Sequence, residues 1–274
     1  MFKEKLGNDF ALVTGASSGI GLAYAREIAK DGVNLLLVSN QDEALHNIQN
    51  ELSAQYDIQV RIYCIDLSEA SASQQILDFC HANDIVVSLL VNNAGILVFD
   101  QVINTKPERV ETILGLHVNC VTEMCRLFGA EMIQRRKGYI INMSSMSAWM
   151  AFPGIAMYNA TKAYIFNYSC ALHYELKPYS VYVTAICPGA INTSLFGLDE
   201  KMRRRLTWFG IMMPPEKLVR LALKKSIRGK MYTIPGVLNH VFVFFAKHIP
   251  DWLVFFLMKR VKAYRDFLPG SFPP

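Results

Sequence analysis

The stretch Phe10-Ala11-Leu12-Val13-Thr14-Gly15-Ala16-Ser17-Ser18-Gly19-Ile20-Gly21 decides the fold. Its first five residues form a short apolar run that reads as a buried strand, and a helical pattern follows the glycines as far as Lys30. Glycine permits the tight turn and lets backbone approach a pyrophosphate closely, while the unpaired amides at the helix start favour phosphate charge. The spacing is Gly-x-x-x-Gly-x-Gly and not Gly-x-Gly-x-x-Gly, so the loop meets the dinucleotide fingerprint in mechanics but not in letter. It is a candidate nucleotide cradle, with an ordinary strand-to-helix turn as the plain alternative.

Outward from this unit, strand and helix patterns alternate. Val33 to Ser39 reads as strand, Asp42 to Ala54 as helix, Ile58 to Cys64 as strand, Ala70 to His81 as helix and Val87 to Asn92 as strand. A helical pattern from Pro107 to Arg135 leads to a strand at Gly138 to Ser144, a helix at Tyr158 to Leu176, a strand at Val181 to Cys187 and a last strand at Lys230 to Ile234. The alternation predicts an α/β fold, a doubly wound parallel sheet with helices on both faces. A chain of 274 residues that is 52% apolar holds one such domain, 1–235, with an apolar C-terminal extension, 236–274, belonging to it.

Net charge of +5 is mild, and no stacking aromatics interleave the basic residues, which argues against nucleic acid as a partner. The six cysteines, Cys64, Cys80, Cys120, Cys125, Cys170 and Cys187, are scattered without a Cys-x-x-Cys pair and read as reduced packing residues. No metal is expected. A cytoplasmic location is, because the N-terminus also lacks a signal-peptide core.

Tyr158 and Lys162 lie four residues apart in Tyr158-Asn159-Ala160-Thr161-Lys162, one helical turn, which sets both heads on one face. Free tyrosine ionises at about pH 10, so proton transfer through it near neutrality needs a stabilised phenolate, which a neighbouring cation supplies in part. Alone, the pair is also what an exposed amphipathic turn would show. It gains meaning from Asn92-Asn93-Ala94-Gly95 after the apolar run Val86 to Val91, Asn119 inside the long helix, Ser145 thirteen positions before Tyr158, and Pro188-Gly189 with Thr193 following. In this order and spacing the set resembles the short-chain dehydrogenase/reductases, from about Phe10 to Thr193 without a large gap. Ile234-Pro235-Gly236-Val237-Leu238-Asn239 and the apolar tail are similar in plan to the 3-oxoacyl and hydroxysteroid reductase-like branch.

The resemblance implies an oxidoreductase that interconverts a ketone and a secondary alcohol. Tyr158 is then the general acid in reduction and the base in oxidation, Lys162 lowers its pKa and holds the nicotinamide ribose, and Ser145 donates to the substrate oxygen where charge grows. Asn119 is expected to anchor a water relay to Lys162. Ser144 and Ser147 are neighbours of the chosen serine, and the family interval to tyrosine selects Ser145. Gly15, Ser17, Ser18, Gly19, Ile20 and Gly21 form the expected cradle, Asp66 and Leu67 the adenine side, and Asn93, Ala94 and Gly95 the adenosine ribose side. Pro188, Gly189 and Thr193 complete the cofactor set. Asp66 could instead cap the turn ahead of Ser68, and Asn92 and Asn93 could tie off a central strand.

The second strand ends Val38-Ser39-Asn40-Gln41, which supplies neither the carboxylate that accepts from a ribose 2′-hydroxyl nor an arginine for a 2′-phosphate. Ser39 and Asn40 can bond either nucleotide. The missing carboxylate removes the usual obstacle to NADP, so NADP(H) is favoured over NAD(H). The alternatives are an NAD-dependent secondary alcohol dehydrogenase and a nucleotide-sensing or scaffolding protein without turnover.

Substrate walls are expected from Met146 to Phe152 and from Leu195 to Met213. Their Trp149, Met150, Phe152, Leu195, Phe196, Leu206, Trp208, Phe209, Ile211 and Met212 suit a long or bulky apolar substrate, or else pack a lid or a dimer face. Lys201, Arg203, Arg204 and Arg205 suit an anionic carrier group or a solvated helix face. Val237 to Phe245 and Trp252 to Met258 are apolar, but each falls short of the roughly 20 residues of a membrane-spanning helix. The tail reads as an arm over the pocket or a partner subunit in preference to helices lying on a membrane, with at most peripheral membrane contact. From the family likeness a homodimer or homotetramer is expected, packed through the long helices near Pro107 to Arg135 and Tyr158 to Leu176.

Overall fold

Leu35-Leu36-Leu37-Val38 is apolar at every position, the pattern of a strand buried on both faces, and all four residues are fully buried. They belong to a sheet of seven strands, described here in a computed structural model that covers residues 2–193, 195, 199–246 and 249–260. In chain order the elements are α1 (Lys3–Leu6), β1 (Phe10–Thr14), α2 (Gly19–Lys30), β2 (Asn34–Ser39), α3 (Asp42–Gln55), β3 (Val60–Cys64), α4 (Ala72–Ala82) and β4 (Val87–Asn92). There follow α5 (Pro107–Leu114), α6 (Cys120–Arg135), β5 (Gly138–Met143), α7 (Ala156–Leu176), β6 (Val181–Ile186), α8 (Glu200–Trp208), α9 (Pro215–Ser226), β7 (Tyr232–Thr233), α10 (Val237–Ala246) and α11 (Asp251–Arg260).

The strand order is β3-β2-β1-β4-β5-β6-β7, and every pairing is parallel. Leu12 pairs with Leu36 on one side and Leu90 on the other. Side chains alternate faces along each strand. Ala11, Val13, Leu35, Leu37 and Val91 enter a core with Tyr24 and Ile28 of α2, Leu45 and Leu52 of α3 and Leu218 of α9. Leu12, Leu36, Val38 and Leu90 enter a second core with Ile76 of α4, Met124 and Phe128 of α6 and Ile165 of α7. The expected doubly wound sheet with helices on both faces is therefore what the chain forms. The order reverses between β1 and β4, and the crevice beyond the carboxyl ends of these strands is where such sheets take ligands.

The helical path expected from Pro107 to Arg135 is present but not uniform: Gly115–Asn119 is wound as a π-helix between α5 and α6. A Cβ on Gly115 would lie 2.7 Å from the Ser68 carbonyl oxygen, so the helix passes closer to the loop after β3 than any other residue allows. The expected last strand shrinks to Tyr232–Thr233, which pairs only with Ala185 and Ile186. Among the described residues no single helix is long and apolar enough to cross a membrane; Asn239–Ala246 and Asp251–Arg260 are bent by 111° at their break.

Candidate active site

The site begins with the loops that leave β1 and β4. Gly15 and Gly19 have φ of +62° and +55°, the left-handed region glycine enters without strain, and a Cβ on Gly21 would lie 2.0 Å from the Gly15 carbonyl oxygen. The loop thus folds over its own helix start, where Ser18 places no side-chain cap on the first amides of α2. Thr14, whose role the sequence did not reveal, stitches the two loops together. Its hydroxyl donates to the Val91 carbonyl (3.2 Å) and accepts from the amides of Asn93 (2.9 Å) and Ala94 (3.0 Å), while the Asn93 side chain donates to the Thr14 carbonyl (3.0 Å). A polar residue closing an otherwise apolar strand was the only available signal.

A cleft of about 400 Å³ lies over these loops. Gly15, Ser17, Ser18, Gly19 and Ile20 line it from the first loop, Asn93, Ala94 and Gly95 from the second, and Ser39, Asn40, Asp66, Leu67 and Thr193 from the remaining strand ends. Gly21 sits beneath the loop rather than on the cleft wall. The glycine cradle and the uncapped amides fit a dinucleotide pyrophosphate. Two details differ from expectation. Ser39 is buried, with its hydroxyl donating to that of Ser17 (2.9 Å) and accepting from the Gln41 amide (3.3 Å), so the exposed side chains at this strand end are Asn40 and Gln41. Asp66 accepts from both the amide (2.9 Å) and the hydroxyl (2.7 Å) of Ser68 through one carboxylate oxygen, a local turn that coexists with its place on the cleft.

A second cavity of about 370 Å³ shares Ile20, Asn93, Gly95, Thr193 and Leu195 with the first, so the two adjoin. It contains Ser145, Tyr158, Lys162, Pro188 and Gly189. Ser145 follows β5, its hydroxyl accepts from the Ser147 amide (3.1 Å), and its side chain faces the Tyr158 phenol in the same cavity, where it favours the ionised phenol. Ser144 points the other way, donating to the Lys162 carbonyl (2.7 Å) and so fastening β5 to α7. Lys162 donates to the Met143 carbonyl (2.9 Å), and its ammonium lies 5.5 Å from the centre of the Tyr158 ring.

Burial pushes the Tyr158 phenol up to about 12, opposed by the bond to Ser145, and pushes Lys162 down to about 8, opposed by the Cys187 thiol. The expected lowering of Tyr158 by Lys162 is corrected here. The ammonium is turned onto the Met143 carbonyl, and burial, not the cation, sets the direction of the Tyr158 shift. A phenol that keeps its proton at neutral pH is a hydrogen donor, and with Ser145 it offers two donors to one carbonyl oxygen.

Met146, Met150, Phe152 and Leu195 line this cavity as expected, joined by Leu97, Phe99 and Ile155, which the sequence reading missed. Leu97 and Phe99 follow Asn92-Asn93-Ala94-Gly95 directly, an apolar loop at a strand end that could have been read as a wall. Trp149 instead packs edge-on against Phe166 (4.6 Å between ring centres), Met212 is buried, and Leu206, Trp208, Phe209 and Ile211 are not wall residues. Trp208, at 80% exposure, faces solvent. Phe196 lies outside the described residues. Arg204 pairs with Glu200 (2.6 Å) at the surface and Arg205 lies over Phe209, which makes this largely the solvated helix face.

Asn119 is not in the site. It is exposed, and the residue pointing inward from the π-helix is His117, two positions earlier and therefore on another side of the helix. His117 is fully buried, with its ring edge-on to Tyr158 at 5.9 Å; a Cβ on Gly95 would lie 2.9 Å from its Nε2 and 3.7 Å from Lys162 Nζ. The family likeness favoured the asparagine, and the widened turn at Gly115–Asn119 sets His117 inward instead.

The family model for short chain dehydrogenase matches residues 9–204. Very-long-chain 3-oxoacyl-CoA reductase of Bos taurus is 30% identical over 256 residues, covering 90% of this chain and 77% of that protein. Inactive hydroxysteroid dehydrogenase-like protein 1 of Homo sapiens is 29% identical, covering 89% and 73%. Among solved structures, a short-chain dehydrogenase from Sphingobium yanoikuyae in complex with NADPH superposes with a TM-score of 0.77 at 27% identity, covering 93% of this chain and 96% of that one. A parallel sheet with a glycine-cradled cleft opening onto a tyrosine, serine and lysine defines an NAD(P)-dependent oxidoreductase acting on CH–OH groups. The chain belongs to the short-chain dehydrogenase family.

Proposed function

We propose that the protein is an NADP(H)-dependent reductase that interconverts a ketone and a secondary alcohol on an apolar, lipid-like substrate, either a 3-oxoacyl chain or a steroid-like ring. The observation that carries this reading is that the glycine-loop cleft adjoins an apolar cavity in which Ser145, Tyr158 and Lys162 are grouped. Gly15, Ser17, Ser18, Gly19 and Ile20 would hold the pyrophosphate, and Asp66, Leu67 and Asn93 to Gly95 the adenosine side. The bound nicotinamide supplies the hydride. Tyr158 gives its proton to the oxygen of the reduced carbonyl, Ser145 stabilises charge on that oxygen, and Lys162 provides positive charge nearby. Leu97, Phe99, Met150 and Phe152 exclude water and seat the apolar body.

NADP(H) is supported over NAD(H) by the strand end Ser39-Asn40-Gln41, which carries no carboxylate against a 2′-phosphate, and by the NADPH-bound structural neighbour. The inactive human relative favours, as a second reading, nucleotide binding without turnover. Against it stands the grouping of Ser145, Tyr158 and Lys162 in one cavity, which binding alone would not need. Exposed Leu114, Tyr164 and Tyr174 on α5 and α7 support an oligomer packed through these helices, and six unpaired cysteines support a cytoplasmic location.

Tyr158→Phe, assayed with NADPH and a panel of apolar ketones, tests the central claim. Turnover is expected to fall at least about a hundredfold, the contribution of a positioned proton donor, with NADPH affinity kept within twofold. Unchanged turnover overturns the catalytic assignment.

A further inference from the structure

His117 makes two directional bonds in the site, and the second is carried one step further by its partner. The Ile96 amide donates to its Nε2 (3.0 Å), and its Nδ1 lies 2.9 Å from the Thr161 hydroxyl, which in turn donates to the Tyr158 carbonyl (3.0 Å). An amide can only donate, so Nε2 carries a lone pair and Nδ1 carries the single proton, directed at Thr161. This is one self-consistent set of donors and acceptors running from the loop after β4, through the imidazole, into the turn of α7 that bears Tyr158 and Lys162.

We propose that His117 is a positioning residue of this site, a neutral imidazole that ties the Gly95–Ile96 wall of the nucleotide cleft to the helix turn carrying Tyr158 and Lys162. The inference rests on the reductase reading for its catalytic consequence, though its effect on nucleotide binding stands apart from turnover. Gly95 is what lets the three groups converge, since a Cβ there would press on the imidazole and approach the lysine ammonium. Protonating His117 would set an N–H against the Ile96 N–H and a second charge beside Lys162. Burial, together with the repulsion from Lys162, accordingly holds its pKa well below the ordinary histidine value. The imidazole therefore serves as a fixed acceptor and donor at neutral pH, not as an acid.

The test uses the full chain as wild type, His117→Phe and His117→Asn, each checked for native circular dichroism at pH 7.5. His117→Phe keeps the ring and loses both nitrogens; His117→Asn keeps one acceptor and one donor. NADPH affinity, read by fluorescence of the bound nucleotide, is expected to fall about tenfold in the phenylalanine variant and to recover for the most part in the asparagine variant, with kcat following the same order. In wild type, a long-range nitrogen–proton correlation spectrum is expected to show a neutral ring protonated at Nδ1. A folded His117→Phe protein with NADPH affinity and kcat within twofold of wild type, equal losses in the two variants, or a ring protonated at Nε2 overturns the proposal. Failure of the reductase reading is told apart by Tyr158→Phe, which then leaves turnover unchanged while the NADPH affinities of the His117 variants still decide the tether.

Discussion

Lys162 is wholly enclosed, and its ammonium rests on one backbone carbonyl, so the site stores a buried charge whose cost depends on pH. Its folded pKa, about 8, lies below the ordinary lysine value. Below pH 8 the lysine is charged in both folded and unfolded chains, and the fold carries the full burial penalty. Between about pH 8 and 10.5 the unfolded chain holds a proton that the folded one has released, so wild-type stability rises with pH through that window. Lys162→Met does not titrate. Urea unfolding should find the variant's stability relative to wild type shifting by about 2–3 kcal/mol in favour of wild type between pH 7 and pH 10. A difference that stays constant across that range would show that Lys162 is not desolvated. A second prediction at this scale concerns Asn40, the first exposed side chain after β2. Asn40→Asp should lower NADP(H) affinity about tenfold or more against NAD(H) by setting a carboxylate at the 2′-phosphate, and Asn40→Arg should do the reverse, both read from Kd ratios. Preference that ignores both substitutions would move the selector elsewhere.

At the scale of elements, what the sequence disclosed was periodic and what it hid was irregular. The apolar runs of β1, β2 and β4 and the helical patterns between them were legible because burial on both faces leaves a continuous hydrophobic signature, and β4 was found at its observed ends, Val87–Asn92. Tyr158 and Lys162 were legible as one helical turn and the glycine loop as a strand-to-helix turn, whereas Ser145 was picked out by the family interval to the tyrosine. His117 was not legible, because the π-helix at Gly115–Asn119 rotates the chain by an amount no heptad or 3.6-residue count contains. Leu97 and Phe99 escaped notice because loops carry no period at all. Gly21 is the place where an element boundary and the cleft depend on one missing methyl group. A Cβ there meets the Gly15 carbonyl at 2.0 Å and the Asn93 side chain at 2.7 Å, and the first of these is backbone that cannot step aside. Gly21→Ala should therefore weaken NADPH binding by at least about tenfold and destabilise the fold by about 1–3 kcal/mol, checked by titration and urea unfolding. Wild-type affinity in a folded variant would mean that the loop does not act as the cradle.

For the whole molecule, the apolar C-terminal helices present two different faces to the catalytic domain and to solvent. On its inner side α10 is integrated with the site: Val243 is buried in a cluster with Ala185, Cys187 and Ile234, against which Met146, Trp149 and Phe166 pack. Asn239 comes so close to Gly189 that a Cβ on the glycine would lie 2.7 Å from its side chain. Pro188, Gly189 and Met146 are also walls of the apolar cavity, so α10 backs the substrate side and leaves the nucleotide cleft untouched. The outward faces of α10 and α11 differ, exposing Phe242, Phe244, Phe245, Trp252, Phe255 and Phe256. Removing residues 237–274 should act asymmetrically. Loss of the cover over Ala185, Cys187 and Ile234 forfeits about 1.5–3 kcal/mol per apolar side chain, enough to raise the KM for a long-chain ketone about tenfold or more, while NADPH affinity stays within twofold. Steady-state kinetics with fluorescence titration measures the split, and equal effects on both ligands would show that the tail supports the fold as a whole. Liposome sedimentation of the intact and shortened chains decides the role of the outward aromatics, since an arm confined to the protein leaves both in the supernatant, and binding lost on truncation would assign those faces to a lipid surface.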